Sequence, residues 1–168
     1  SLEDSERTLW LATGAGLTQL RPPVLKLLCS SDGWLGRAVG TVCPDPDGGL
    51  WVGTLGAGVY FYDGKRFRRY WDTEPGPTQD IRAILKDRTG RLWVGTQGGL
   101  RYLDGDIFVD ANATVQMPAL VYALHEARDG TLWVGTENGV VLRHPDGRWS
   151  RTGQDLERPD VRAIAESP

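Results

Sequence analysis

The pentapeptide Leu-Trp-Val-Gly-Thr stands at Leu50 to Thr54, at Leu92 to Thr96 and at Leu132 to Thr136, and a worn copy, Leu9-Trp10-Leu11-Ala12-Thr13, precedes them. The four tryptophans are spaced by 41, 42 and 40 residues. A fixed period of that length marks a chain built from copies of one supersecondary unit, none of which can bury its apolar face alone.

Each period divides into four strand-sized pieces, A to D, short alternating or β-branched runs bounded by turn residues. The A pieces run from Ala38 to Pro44, Asp80 to Lys86, Leu120 to Glu126 and Asp160 to Glu166. In register they place Thr41, Ala83, Ala123 and Ala163 in one slot, small side chains that let neighbouring backbones approach closely. The B pieces are the tryptophan strands, three of them entered through turns ending at Gly49, Gly90 and Gly130. Their tryptophans are read as wedges between adjacent units, Gly53, Gly95 and Gly135 as close-packing positions, and the following threonines as turn-forming hydroxyls. The C pieces are Val59 to Tyr62, Leu100 to Leu103 and Val140 to Arg143. Asp63-Gly64, Asp104-Gly105 and Asp146-Gly147 then give strong hairpin signals. The D pieces follow: Arg66 to Trp71, Ile107 to Asp110 and Arg148 to Thr152, with Val24 to Cys29 in the degraded first repeat. No segment sustains helical apolar spacing for three turns without Gly or Pro.

Four antiparallel strands followed by a longer polar connection make the blade of a β-propeller. The expected fold is therefore all-β: four four-stranded antiparallel blades in one propeller domain, with repeats over roughly 1–36, 37–78, 79–118 and 119–159 and a closing strand at 160–168. The chain begins at a B strand and ends on an A strand with no B after it. That last strand is expected to complete the first blade by strand exchange, within one chain or between two. A half-ring of four blades exposes two apolar faces, more than a soluble monomer tolerates. An eight-bladed ring formed by a homodimer is the leading expectation, and a closed four-bladed monomer is the alternative.

The chain carries 19 basic and 22 acidic residues, a net charge of −3, with no basic stripe of the kind that neutralises phosphates. Nucleic acid is not an expected partner. No apolar run approaches the ~18 residues that would cross a bilayer, and Ser1-Leu2-Glu3-Asp4 does not open a leader. Cys29 and Cys43 make no disulfide framework; Cys43 shares its slot with Leu85, His125 and Ala165 and reads as a buried thiol. His125 and His144 have no His or Cys partner at metal-ligand spacing. The Asp-Gly pairs lack the acidic ladder of a calcium loop, and nucleophile elbows and phosphate loops are missing. No cofactor, metal or catalytic residue is expected.

The residues with chemical potential gather instead on the D-to-A connections, the starts of the A strands and the B-to-C turns, which lie at one mouth of a propeller. They are Trp34, Arg37, Trp71, Gln79, Asp80, Arg82, Gln97, Tyr122, Glu137, Asn138, Asp160 and Arg162. Aromatics beside amides, carboxylates and guanidinium groups suit a sugar or another small polar ligand. The plainer alternative is a solvated loop face in which Asp80 and Arg82, and again Asp160 and Arg162, make a repeated structural contact.

The run Asp87 to Leu100, Asp-x-x-Gly-x-Leu-Trp-Val-Gly-Thr-x-x-Gly-Leu, followed by Arg101-Tyr102-Leu103-Asp104-Gly105, resembles the two-component regulator propeller repeat. The resemblance is strong in the second to fourth repeats and weak in the first. It implies a periplasmic or extracellular sensory module, usually tandem propellers ahead of a membrane helix and a histidine kinase, with an oligosaccharide as the signal in some members. Four blades without a membrane helix or kinase depart from that pattern. The expected function is a non-enzymatic binding or sensory module presenting its loop face to a ligand, an oligosaccharide among the candidates, or to a protein partner. The alternatives are a pure assembly scaffold, or a fragment or engineered half-propeller. A more remote one is a propeller lyase, for which only His125 and His144 could supply the histidine.

Overall fold

Alternating apolar residues and turn signals settle into four separate antiparallel sheets, one for each repeat. The computed structural model describes residues 2–3, 9–13, 16–21, 24–27, 34, 38–70, 80–111, 117–118, 120–153 and 159–167. The first sheet contains β1 (Leu2–Glu3), β2 (Leu9–Thr13), β3 (Gly16–Arg21) and β4 (Val24–Leu27), in that order. The second contains β5 (Val39–Pro44), β6 (Leu50–Thr54), β7 (Val59–Tyr62) and β8 (Phe67–Arg69). The third contains β9 (Ile81–Lys86), β10 (Leu92–Thr96), β11 (Gly99–Asp104) and β12 (Ile107–Asp110). The fourth contains β13 (Val121–Glu126), β14 (Leu132–Thr136), β15 (Gly139–Arg143) and β16 (Trp149–Thr152). Strands are paired in chain order throughout, and no helix occurs among the described residues.

The chain divides into two compact units, Ser1–Ile81 and Arg82–Pro168. In the first, Trp10, Leu17, Leu50, Val52, Tyr60, Tyr62 and Phe67 make one buried cluster. In the second, Trp93, Leu100, Val121, Leu132, Val134 and Val141 make another. Trp10 and Trp93 behave as wedges. Trp10 meets Tyr62 of the second sheet edge-on at 5.9 Å, and Trp93 meets Trp149 of the fourth at 6.4 Å. Trp133, in the last sheet, is only half-buried.

Gly95 shows why the pentapeptide requires glycine. A Cβ at Gly95 would lie 2.5 Å from Val121 Cγ1, inside contact distance, so this position is where the first strand of the next sheet seats. Gly53 meets Ile81 Cγ2 in the same way at 2.4 Å. Each threonine of the motif closes the turn that follows: Thr96 Oγ1 donates to the Gly99 carbonyl at 2.9 Å and accepts from Gly98 N–H at 2.9 Å. Thr136 does the same with Gly139 and Asn138. At the Asp-Gly hairpins, Asp63 Oδ1 accepts the Lys65 and Arg66 N–H groups, and Asp146 Oδ1 accepts that of Arg148.

The two ends of the chain differ from the simplest sequence expectation. The first repeat has its own opening strand: β1 pairs antiparallel with β2, Leu2 opposite Trp10 and Glu3 opposite Leu9. Two residues carry no periodicity, so nothing in the sequence marks them. The carboxy-terminal A piece, expected as a strand on that same edge, is not paired there among the described residues and lies against the fourth sheet. Val161 sits against Gly135, its carbonyl oxygen 2.5 Å from where a Cβ would be, and its N–H donates to the Thr136 carbonyl at 2.9 Å. The segment is thus placed on the fourth sheet as β13 is placed on the third, yet no strand pairs with it among the described residues. Cys43 is half-buried, against the fully buried thiol expected, and Cys29 lies outside the described residues.

Candidate functional site

The A strands supply the site because they do not run straight. Between Val121 and Ala123 the ladder to β14 shifts register, leaving Tyr122 unpaired, and the same irregularity between Val39 and Thr41 leaves Gly40 unpaired. A bulge re-aims the extra side chain and bends the strand. The third position of the A piece is filled in turn by Gly40, Arg82, Tyr122 and Arg162, and at Gly40 and Tyr122 the bulge leaves it outside the ladder.

In the second unit three of these side chains converge. The Arg82 guanidinium lies 5.9 Å from the Tyr122 ring centroid and that of Arg162 lies 5.2 Å from it. Such contacts add roughly 0.5–1 kcal/mol each at exposed sites. Asp160 Oδ2 accepts from Arg162 Nη2 at 3.4 Å, one of the two Asp-Arg pairs foreseen in the sequence. Arg82 and Arg162 are both exposed, whereas Tyr122 is half-buried.

The B-to-C turns are fastened at the same ends of their sheets. Glu137 N–H donates to the Leu120 carbonyl at 3.2 Å, and Glu137 Oε1 accepts from Leu120 N–H at 3.2 Å. This turn is therefore tied to the start of its own A strand, immediately before Tyr122. Gln97 and Asn138 stand exposed on their turns.

The other nominated residues fall elsewhere. Trp34 is 3% exposed, with its ring 5.3 Å from Tyr60 and 5.2 Å from Phe67. It belongs to the core of the first unit, because the large aromatics of β7 and β8 leave room for a third ring there. Asp80 is half-buried near the end of the first unit. Arg37, Trp71 and Gln79 lie outside the described residues.

Two contacts escaped the sequence reading. The first is the anchoring of two of the tryptophans: Asp45 Oδ2 accepts the Trp51 indole N–H at 2.6 Å, and Asp87 Oδ2 accepts that of Trp93 at 2.7 Å. The signal was present, an Asp six residues before the Trp. The second joins the third and fourth sheets: Arg88 N–H donates to Glu126 Oε2 at 2.9 Å, and Arg88 Nε pairs with Glu126 Oε1 at 2.8 Å. One repeat later, Arg128 N–H donates to Glu166 Oε2 at 3.1 Å. Glu166 thus does for the terminal segment what Glu126 does for β13.

His144 Nε2 is hydrogen-bonded to Ser150 Oγ at 2.8 Å, and His125 Nε2 stands 3.8 Å from Glu166 Oε2. Among the described residues no three His, Cys, Asp or Glu side chains are grouped as metal ligands would be, and no helix is long and apolar enough to cross a membrane. On the second sheet a groove of about 470 Å³ runs along the β7–β8 hairpin, lined by Phe61, Asp63, Arg66, Phe67, Arg68 and Tyr70.

The sequence profile of the two component regulator propeller family matches residues 33–56, 75–98 and 117–138. No curated protein matches the sequence. Among solved structures, the extracellular domain of a putative hybrid two component system from B. thetaiotaomicron superposes with a TM-score of 0.75 at 22% identity, over 92% of this chain and 22% of that one. A second such domain from the same organism gives 0.77 at 20% identity, over 94% and 23%. A catalytically inactive virginiamycin B lyase from Staphylococcus aureus, solved with quinupristin, gives 0.72 at 14% identity, over 97% and 57%. These likenesses identify the fold as a β-propeller. The chain spans under a quarter of the two extracellular domains and just over half of the lyase.

Proposed function

We propose that this chain, whose matched segments are two component regulator propeller repeats, is a non-enzymatic propeller module that takes a ligand or partner at the loop face built around Tyr122. The observation that carries the reading is the convergence of Arg82 and Arg162 on Tyr122, which a bulge releases from the ladder, beside turns pinned by Thr96 and Thr136. Rigid turns and bulged strands hold polar groups in place without ordering cost at the moment of binding, which is what recognition of a small polar ligand needs. Oligosaccharides lead the candidate ligands, and the compartment that fits the extracellular neighbours is periplasmic or extracellular.

The assembly belongs to the same proposal. Among the described residues, the terminal segment is seated on the fourth sheet with no strand paired to it, and β2 is paired on its outer edge with Leu2 and Glu3. Exchange between two copies would give an eight-bladed homodimer, with β1 displaced by residues 160–166 of the second copy.

A thermal-shift panel of neutral and acidic oligosaccharides tests the binding role. A true ligand at 100 times its dissociation constant adds roughly 2.7 kcal/mol to stability, a saturable rise in melting temperature. A flat response across the panel would leave the scaffold reading in its place.

A further inference from the structure

The groove along the β7–β8 hairpin is independent of the loop face around Tyr122. We infer that it is a docking site for an acidic peptide segment of a partner protein, one that carries an apolar side chain between its carboxylates.

The lining comes from a single hairpin and combines two chemistries. Phe61, Phe67 and Tyr70 supply aromatic walls, and Arg66 and Arg68 line the same space of about 470 Å³. That volume falls inside the ~300–1,000 Å³ range of ordinary ligand sites. The walls are backed from behind: the Trp51 ring lies 4.7 Å from Phe61 and 4.9 Å from Tyr70, and Asp45 Oδ2 holds its indole N–H at 2.6 Å. The Arg68 guanidinium lies over the Tyr70 ring at 4.6 Å, which sets charge and aromatic surface side by side.

Charge decides the occupant. Lys65, Arg66, Arg68 and Arg69 put four cations into five consecutive residues of a chain whose net charge is −3. Arg69 is spent on structure, its Nε donating to the Ala57 carbonyl at 3.1 Å. The one acid in the lining, Asp63, turns Oδ1 to the backbone N–H groups of Lys65 and Arg66 at 2.8 and 2.9 Å. The groove therefore presents guanidinium groups beside apolar walls, and an arginine fork pairs with a carboxylate through two parallel hydrogen bonds. An acidic residue on each side of an apolar one matches both chemistries at once. A bilayer is a poorer match, because Phe67 is 8% exposed and Phe61 and Tyr70 are half-buried, whereas side chains that sink into a headgroup layer must protrude. A nucleic-acid duplex is poorer too, since its phosphates call for a track of cations longer than one hairpin.

Fluorescence anisotropy of labelled peptides with the full chain tests this, using Glu-Asp-Phe-Glu-Asp, its amide analogue Gln-Asn-Phe-Gln-Asn and the ring-free Glu-Asp-Gly-Glu-Asp. The first should bind at least about fivefold more tightly than either of the others, with affinity falling as salt rises. Arg66 and Arg68 are exposed, so Arg66→Gln and Arg68→Gln should fold with unchanged melting temperature. Each should weaken the binding by about fivefold, while Arg148→Gln, a control on the β15–β16 hairpin, should leave it unchanged. No binding of the acidic peptide at millimolar concentration, equal binding of either analogue, or indifference to both arginine substitutions would overturn the assignment. So would a phosphatidylglycerol vesicle or a short DNA duplex that binds the wild type more tightly than the peptide does and loses that binding in the same two variants.

Discussion

Trp93→Ala is expected to lower the unfolding free energy by roughly 3–5 kcal/mol, the cost of truncating a large aromatic that has no room to collapse around. For a chain of this length that is a fall of about 10 °C or more in melting temperature. The indole is 2% exposed, lies 5.4 Å from Tyr102 and 6.4 Å from Trp149, and carries the guanidinium groups of Arg91 and Arg143 over its ring at 5.5 and 5.7 Å. The substitution therefore removes packing within the third sheet and between the third and fourth. Trp133→Ala is the internal comparison, since that ring is only half-buried. Chemical denaturation of the two variants should show Trp93→Ala as much the more damaging, and equal losses would contradict the wedge.

Asp87→Ala should cost about 2–3 kcal/mol, because its carboxylate collects several hydrogen bonds and leaves a buried indole N–H orphaned when removed. Oδ1 accepts Thr89 N–H at 2.9 Å, Thr89 Oγ1–H at 2.5 Å and Arg91 N–H at 3.0 Å, and Oδ2 accepts the Trp93 indole. Burial acts to raise its pKa, but the hydrogen bonds from Thr89, Trp93 and Arg91 outweigh it and hold the group below the ordinary carboxylate range. A carboxylate depressed in the folded state contributes stability that is complete above its unfolded pKa of about 4 and lost as pH falls through the folded value. The wild type should thus lose stability in acid below about pH 4, and Asp87→Ala should flatten that slope as well as lower the plateau. The fourth repeat shows that the substitution is survivable. Ala127 stands at the same place, its turn still closes through Ala127 N–H to Thr131 at 2.9 Å, and Asp129 Oδ1 takes over the Thr131 N–H at 2.8 Å. A pH profile of Asp87→Ala parallel to that of the wild type would refute the assignment.

Strand boundaries were legible wherever a turn residue enforced them. The C piece at Val59 to Tyr62 and the D piece at Ile107 to Asp110 coincide with β7 and β12, because an Asp-Gly pair fixes one end of each. Others moved by a residue or two, as with Phe67–Arg69 inside the longer Arg66 to Trp71 run, where aromatic residues continue past the last ladder bond. Leu2–Glu3 was illegible because two residues express no period and pair only through tertiary proximity. Trp34 looked like a rim residue because its neighbours are loop-like, and sequence pattern does not tell a surface aromatic from one folded back onto Tyr60 and Phe67. The convergence of Arg82 and Arg162 on Tyr122 was half-visible: the repeat alignment brought the slot together, but nothing in it marked the bulge that leaves Tyr122 unpaired.

Residues 160–166 also sharpen what the period means. Their amino-acid pattern repeats that of β9 and β13, and their contacts with Gly135 and Arg128 repeat those of Val121 with Gly95 and Glu126 with Arg88. Among the described residues no strand pairs with this segment, and an uncovered strand edge is a template for pairing with another chain.

Light-scattering mass in solution at micromolar concentration tests this account most directly. Exchange of residues 160–166 between two copies predicts a species of twice the 18.5 kDa chain mass. A single species at 18.5 kDa under the same conditions would contradict it.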